Sequence, residues 1–132
     1  MLRLTGLTLA LSLPLFAQAA SLKDFELSKA LEKVARESSI GTPRAINENI
    51  LDQGYTVDGS ELVNHLSVRS EHAAKMRGNP DIVRAQLANS VCQNNGYRQL
   101  LARGAALRYE FSEYKTNRPV TSERFSKADC GL

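Results

Sequence analysis

Apolar residues recur at steps of three and four from Leu27 through Ala30 and Leu31 to Val34, with lysines and glutamates largely on the opposite side. That spacing predicts a half-buried amphipathic helix from Ser21 to Glu37. Ser38-Ser39-Ile40-Gly41-Thr42-Pro43 ends it, because glycine costs backbone entropy and the residue before proline is pushed out of helical geometry. From Ile46 to Arg69 the period shortens to two, and Asp58-Gly59 sits between apolar runs as a hairpin turn would. With those two residues as the loop, Tyr55 opposes Leu62 and Leu51 opposes Leu66. This register gathers Leu51, Tyr55, Val57, Leu62, Leu66 and Val68 on one face and leaves Thr56, Glu61, His65, Ser67 and Arg69 on the other.

Asn79-Pro80-Asp81 carries the signals of a helix start, and Ile82, Val83, Leu87, Ala88 and Val91 then repeat at helical spacing up to Cys92. Asn94 or Asn95 caps a shorter helix bearing Tyr97, Leu100 and Leu101, and Gly104 ends it. Alternation returns with Leu107, Tyr109 and Phe111 pointing one way and Arg108, Glu110 and Ser112 the other. A turn at Thr116 to Arg118 leads into a strand from Val120 to Ser126. This pairing sets Tyr109 opposite Phe125 and Tyr114 opposite Val120, and a bulge near Ser112 or Glu113 reconciles their parity. The expected architecture is α+β: an antiparallel sheet of two hairpins covered on one face by about three helices.

The N-terminus stands apart from this pattern. One basic residue, Arg3, precedes a leucine-rich run from Leu4 to Phe16, followed by Ala17-Gln18-Ala19. Those are the parts of a secretory leader, with cleavage expected after Ala19. The run is shorter than the roughly 20 residues that span a bilayer, so the mature chain is expected to have no membrane span; the alternative is an uncleaved anchor. The expected organisation is thus a leader at 1–19 and a single domain at 20–132.

Export gives meaning to the two cysteines. An even pair in an oxidising compartment forms a bridge more often than two free thiols, so Cys92–Cys130 is the expected disulfide, closing a loop of roughly 38 residues.

Charge excludes more than it suggests. The chain has 17 Lys+Arg against 14 Asp+Glu, but the cations are interleaved with acids, as in Lys23, Lys29, Lys33 and Arg36 among Asp24, Glu26, Glu32 and Glu37. No nucleic-acid partner is expected from so mixed a balance.

The reactive side chains form no motif. His65 and His72 lie seven apart, His65 on the open face of a strand and His72 in the polar connection after it, and neither has ligand spacing with a Cys or a second His. No metal and no cofactor are expected. No serine lies in a Gly-x-Ser-x-Gly elbow. Glu110, Glu113 and Glu123 could meet across the second hairpin as a hydrolase pair does, although Arg108 and Arg124 account for them as ion pairs. No catalytic residue is assigned.

Val91-Cys92-Gln93-Asn94, Tyr97-Arg98-Gln99-Leu100-Leu101, Gly104 to Phe111, Val120 to Phe125 and Asp129-Cys130, together with the hairpin at Tyr55 to Ser67, resemble a family of small secreted proteins of Gram-negative bacteria, the putative quorum-sensing-regulated virulence factors. The resemblance covers nearly all of the chain after the leader. It implies export, a domain of helices and antiparallel strands, and a role in virulence under cell-density control; it supplies no catalytic residues.

The reading that follows is an exported, non-enzymatic interaction protein, located outside the cell or in the periplasm. Its partner, a protein of the host or the envelope, would meet the sheet face away from the helices, at His65, Arg69, Arg108 and Glu110. The alternatives are a small periplasmic hydrolase and a periplasmic accessory or chaperone-like subunit.

Overall fold

The computed structural model describes the chain from Leu15 to Leu132, with side chains from Leu22 onward. The expected leader lies outside the residues whose side chains are described. Helix α1 (Leu15–Ser38) is followed by a two-residue strand β1 (Arg44–Ala45), then by the hairpin β2 (Ile50–Asp58) and β3 (Glu61–Val68). Three helices come next: α2 (Ser70–Gly78), α3 (Pro80–Gln93) and α4 (Asn95–Ala102). A second hairpin, β4 (Ala106–Glu113) and β5 (Pro119–Phe125), leads to a 3-10 turn at Lys127–Cys130.

The strands form one sheet in the order β1-β2-β3-β4-β5. The α+β class and the two hairpins agree with the sequence pattern, but the sheet is not wholly antiparallel. β3 and β4 run parallel, with Leu62 beside Leu107 and Leu66 beside Phe111. The physical reason is the crossover: the three helices return the chain to the end of the sheet where β3 began, as a parallel neighbour requires. Among the described residues there are also four helices, one more than the sequence pattern suggested. α2 escapes the periodicity because it buries only Ala73 and Met76, and it contains His72, which the sequence pattern placed in a loop.

The first hairpin turns one residue later than Asp58-Gly59. Asp58 pairs with Glu61, so Gly59 and Ser60 form the loop. Gly59 has φ +60° while Ser60 is not among the positive-φ residues. Positive φ at the first loop position alone is the type II′ pattern, which asks nothing unusual of Asp58. The shift moves the pairing by two and leaves each strand's faces unchanged until Gln53, where the register slips between Asp52 and Gly54. One extra residue in β2 inverts its parity. Leu51, expected in the core, therefore lies opposite Ser67 on the open face, and Asp52 lies opposite Leu66 on the covered one.

The second hairpin is also irregular where parity demanded it, between Phe111 and Ser112. The extra residue is on β5, however, and Tyr109 opposes Glu123 instead of Phe125. Tyr109 still meets the Phe125 ring edge-on, at 6.2 Å between centroids.

The helices cover one face. Leu27, Leu31 and Ala35 of α1, Val91 of α3, and Leu100 and Leu101 of α4 pack with Leu62, Leu107 and Phe125 of the sheet. A second cluster joins Ala73 and Met76 of α2 to Leu66, Val68 and Phe111. Full burial of each large apolar side chain contributes roughly 1.5–3 kcal/mol. Cys92 and Cys130 form the expected bridge, which ties the C-terminal turn to the end of α3.

Candidate interaction surface

The open face of the sheet carries two kinds of surface. Towards the β2–β3 turn lies an ion network centred on Arg108. Its Nη1 is 3.3 Å from Glu61, its Nη2 3.3 Å from Asp58 and its Nε 3.1 Å from Glu110. Arg124 completes the network through Glu61. Beneath it Val63, which pairs with Thr56 and Arg108, is 1% exposed although it lies on the face without helices. Arg108 is thus committed to neighbouring carboxylates, and its first role is to complete this face.

Towards the opposite end the same face is concave. Two depressions of about 250 and 410 Å³ meet at Ser67, which lines both. Their walls are the β1–β2 loop, Ala45 to Ile50, and the β4–β5 turn with Tyr114 and Asn117. Asn47 braces the first wall, its side-chain oxygen accepting hydrogen bonds from the backbone N–H groups of Asn49 and Ile50. The second wall is fixed by Glu113, whose N–H donates to the Arg118 carbonyl while its own carbonyl accepts from Asn117.

The sequence pattern singled out four residues for this face, and the fold divides them. Arg69 lines the first depression, and His65 and Glu110 line the second. Arg108 stands apart in the ion network. Arg69 makes no ion pair among the described residues. Glu110 accepts from Ser122 and pairs with Arg108 through one carboxylate oxygen, Oε1. Gln53 donates to Ser67 through its nitrogen. Sequence reasoning missed Gln53, Tyr114 and Asn117 as parts of the surface. The polar turn at Thr116 to Arg118 pointed to a loop, but not to a wall beside the sheet.

His65 also forms a short contact with a hydroxyl, Nε2 to Thr56 Oγ1 at 2.7 Å. A histidine beside a hydroxyl is the start of a nucleophile–base pair. Both residues lie within paired strands, so the contact is held by the β2–β3 ladder.

The covered face holds a polar cluster that sequence reasoning also missed. Asp52 is 3% exposed and accepts hydrogen bonds from the Asn64 side chain and from the Gly54 N–H, each at 2.9 Å. Arg44 lies 3.5 Å from its other oxygen. Parity could have flagged Asn64, since it shares a face with Leu62 and Leu66. Beside it the Tyr55 and Tyr97 hydroxyls are 3.5 Å apart. Burial pushes the hydroxyls of Tyr55 and Tyr109 well above the ordinary tyrosine range, so both stay neutral. This cluster has the character of a satisfied polar core.

Residues 20–131 match the family model described as putative quorum-sensing-regulated virulence factor. The chain belongs to this family. A crystal structure of a putative secreted protein from Pseudomonas aeruginosa is 72% identical, covers 83% of this chain and 96% of its own, and superposes with a TM-score of 0.80. Two structures of type II secretion system pilotins share the fold at much lower identity. The Vibrio vulnificus protein is 14% identical, with a TM-score of 0.71 over 83% of this chain and 96% of that one. The Vibrio cholerae protein is 17% identical, with a TM-score of 0.69 over 85% and 99%. No curated protein sequence matches the chain.

Proposed function

We propose that the chain is an exported, non-catalytic binding protein whose partner docks on the open face of the sheet. The observation that carries this reading is the pair of adjoining depressions between the β1–β2 loop and the β4–β5 turn, the first lined by Arg69 and the second by His65 and Glu110. Rigid strands form its floor and short braced loops form its walls, an arrangement that holds a partner with little ordering cost. The secreted description of the 72% identical relative supports export. The Cys92–Cys130 bridge suits an oxidising compartment, the periplasm or the exterior. Cleavage of residues 1–19 as a leader, and production under cell-density control as the family description says, belong to the same proposal.

Recovery of partners from envelope and host-cell extracts tests the reading. The wild-type protein should retain a specific partner that Arg69→Glu loses, both proteins having the same circular dichroism melting profile. Equal recovery by the two removes the case for this face. A second reading, an accessory subunit of an export apparatus, is favoured by the fold shared with two pilotins. It predicts that the recovered partner is an envelope component and not a host protein.

A further inference from the structure

We propose that Asn95 is a self-deamidation site: its side-chain amide reacts with the backbone nitrogen of Gly96 and leaves a carboxylate, as aspartate or isoaspartate, at the start of α4.

The chemistry asks that the asparagine side chain be free to turn onto the following peptide, that the nitrogen of that peptide be free of hydrogen bonds, and that the following residue not crowd the approach. Asn95-Gly96 is the one Asn-Gly pair in the sequence. Glycine has no Cβ, so it leaves both the approach and the backbone torsions open.

The fold preserves these conditions at Asn95. Asn95 and Gly96 are both exposed and open α4, where the first backbone N–H groups have no carbonyl one turn earlier in the same helix. Asn94 takes two of the donors of this turn, its side-chain oxygen accepting from the Tyr97 N–H at 3.0 Å and its carbonyl from the Arg98 N–H at 2.9 Å. The Gly96 N–H donates to no group among the described residues. The carbonyl of Cys92, four residues earlier, accepts instead from Arg98 Nη1 at 3.0 Å.

Every other asparagine lacks one of the conditions. Asn79 precedes Pro80, whose nitrogen carries no hydrogen. Asn64 is buried and donates to Asp52. Asn89 lies inside α3, where the next N–H serves the helix. After Asn49 and Asn117 the N–H is already donated, to Asn47 Oδ1 and Thr116 Oγ1. The side-chain oxygens of Asn47 and Asn94 are themselves committed to backbone N–H groups.

The step balances with water alone. The Gly96 nitrogen forms a bond to Asn95 Cγ, the Cγ–Nδ2 bond breaks, and the proton lost from Gly96 leaves with Nδ2 as ammonia. Water then opens the cyclic imide: cleavage between nitrogen and Cγ gives aspartate, and cleavage at the main-chain carbonyl gives isoaspartate. α4 has no acid in its first turn, so the first product adds a negative charge where the helix dipole favours one. The second lengthens the main chain by a methylene between Asn94 and Gly96 and loosens the cap on Tyr97.

Storage of the purified exported protein in mildly alkaline buffer tests the inference. After reduction of the disulfide and tryptic digestion at mildly acidic pH, fragmentation of the peptide Ala85–Arg98 should place the amide-to-acid mass change on Asn95. The product should divide between two chromatographic forms, with Asn89 and Asn94 of the same peptide unchanged. The folded protein should convert at no less than roughly one tenth of the rate in concentrated urea. Gly96→Ala should slow the reaction roughly tenfold or more, folded and in urea alike; in the folded protein its Cβ stands 3.3 Å from Asn94 Oδ1 and closes the approach. No conversion in the folded protein, whatever the rate in urea, would show that the helix start protects Asn95 and overturns the proposal. Equal conversion of Asn89 or Asn94, or a wild-type rate in Gly96→Ala, overturns it as well, because the Asn95-Gly96 pair is then not what selects the site.

Discussion

The Ser39 hydroxyl makes both hydrogen bonds that the outer edge of Tyr55 requires: it accepts from the Tyr55 N–H at 2.9 Å and donates to the Tyr55 carbonyl at 3.3 Å. β1 pairs with β2 only at Leu51 and Asp52, so beyond that point a side chain from the turn just after α1 takes the place of a neighbouring strand. Edge strands need such cover to avoid pairing with other chains.

The close approach and the positive φ at this junction make Gly54 costly to replace. Its φ is +109°, and an added Cβ would lie 3.1 Å from Thr42 Oγ1 and 3.3 Å from Ser39 Oγ. Gly54→Ala is expected to destabilise the protein by about 1–3 kcal/mol, and Ser39→Ala by about 1–2 kcal/mol through the unpaired backbone groups. Urea denaturation monitored by circular dichroism checks both, and an unchanged midpoint for Gly54→Ala would show that the bulge relaxes freely.

Glu113 predicts an acid-limb effect. Its carboxylate receives Arg77 Nη2 at 3.1 Å and lies 3.4 Å from Arg118 Nε. The hydrogen bond from Arg77, reinforced by the charges of Arg77 and Arg118, outweighs desolvation and holds its pKa below the ordinary carboxylate range. A depressed folded-state pKa gives stability that is fully present above the unfolded value and lost as pH falls through the folded one. Wild type should therefore melt higher than Glu113→Gln at neutral pH, and the gap should close on acidification below about pH 4.5. Melting curves at a series of pH values test this, and a gap that persists into strong acid would contradict it.

Arg84 guards the other edge of the sheet. It donates to the Arg124 carbonyl, pairs with Glu123 at 2.9 Å and with Asp129 at 3.4 Å, and stacks 4.6 Å over the Phe125 ring. Arg84→Lys keeps the charge but loses the planar fork, so it should recover little of the stability lost by Arg84→Ala, about 1–2 kcal/mol. Thermal melts compare the two. Light scattering should show more self-association for both variants, because β5 then offers unpaired acceptors.

The Cys92–Cys130 bridge spans 38 residues of sequence. On the chain-entropy model the double substitution to alanine costs about 4 kcal/mol. Urea midpoints with and without the bridge measure the loss, and equal midpoints would show that the C-terminal turn holds without its covalent tie.

Turn chemistry and apolar period made the two hairpins, α1, α3 and α4 legible in the sequence, because each has one strong apolar face. Two features were not. The parallel β3–β4 pairing depends on how α2, α3 and α4 stack, and no local pattern encodes that. The bulge at Gln53 is signalled only by Gly54, which reads equally as a turn residue, yet it decides that Asp52 is buried and Leu51 is not. The groove was half legible: alternation placed His65 and Glu110 on the open face, whereas the walls bearing Tyr114 and Asn117 come from loops whose position depends on the whole sheet.

Site-specific photo-crosslinking in living cells tests the assignment of the open face most directly. A benzoyl-phenylalanine at Ser112, in the floor of the groove, should give a discrete adduct, and one at Lys33, exposed on α1 over the other face, should give none. Adducts from Lys33 with nothing from Ser112 would place the partner on the helices and contradict the function proposed here.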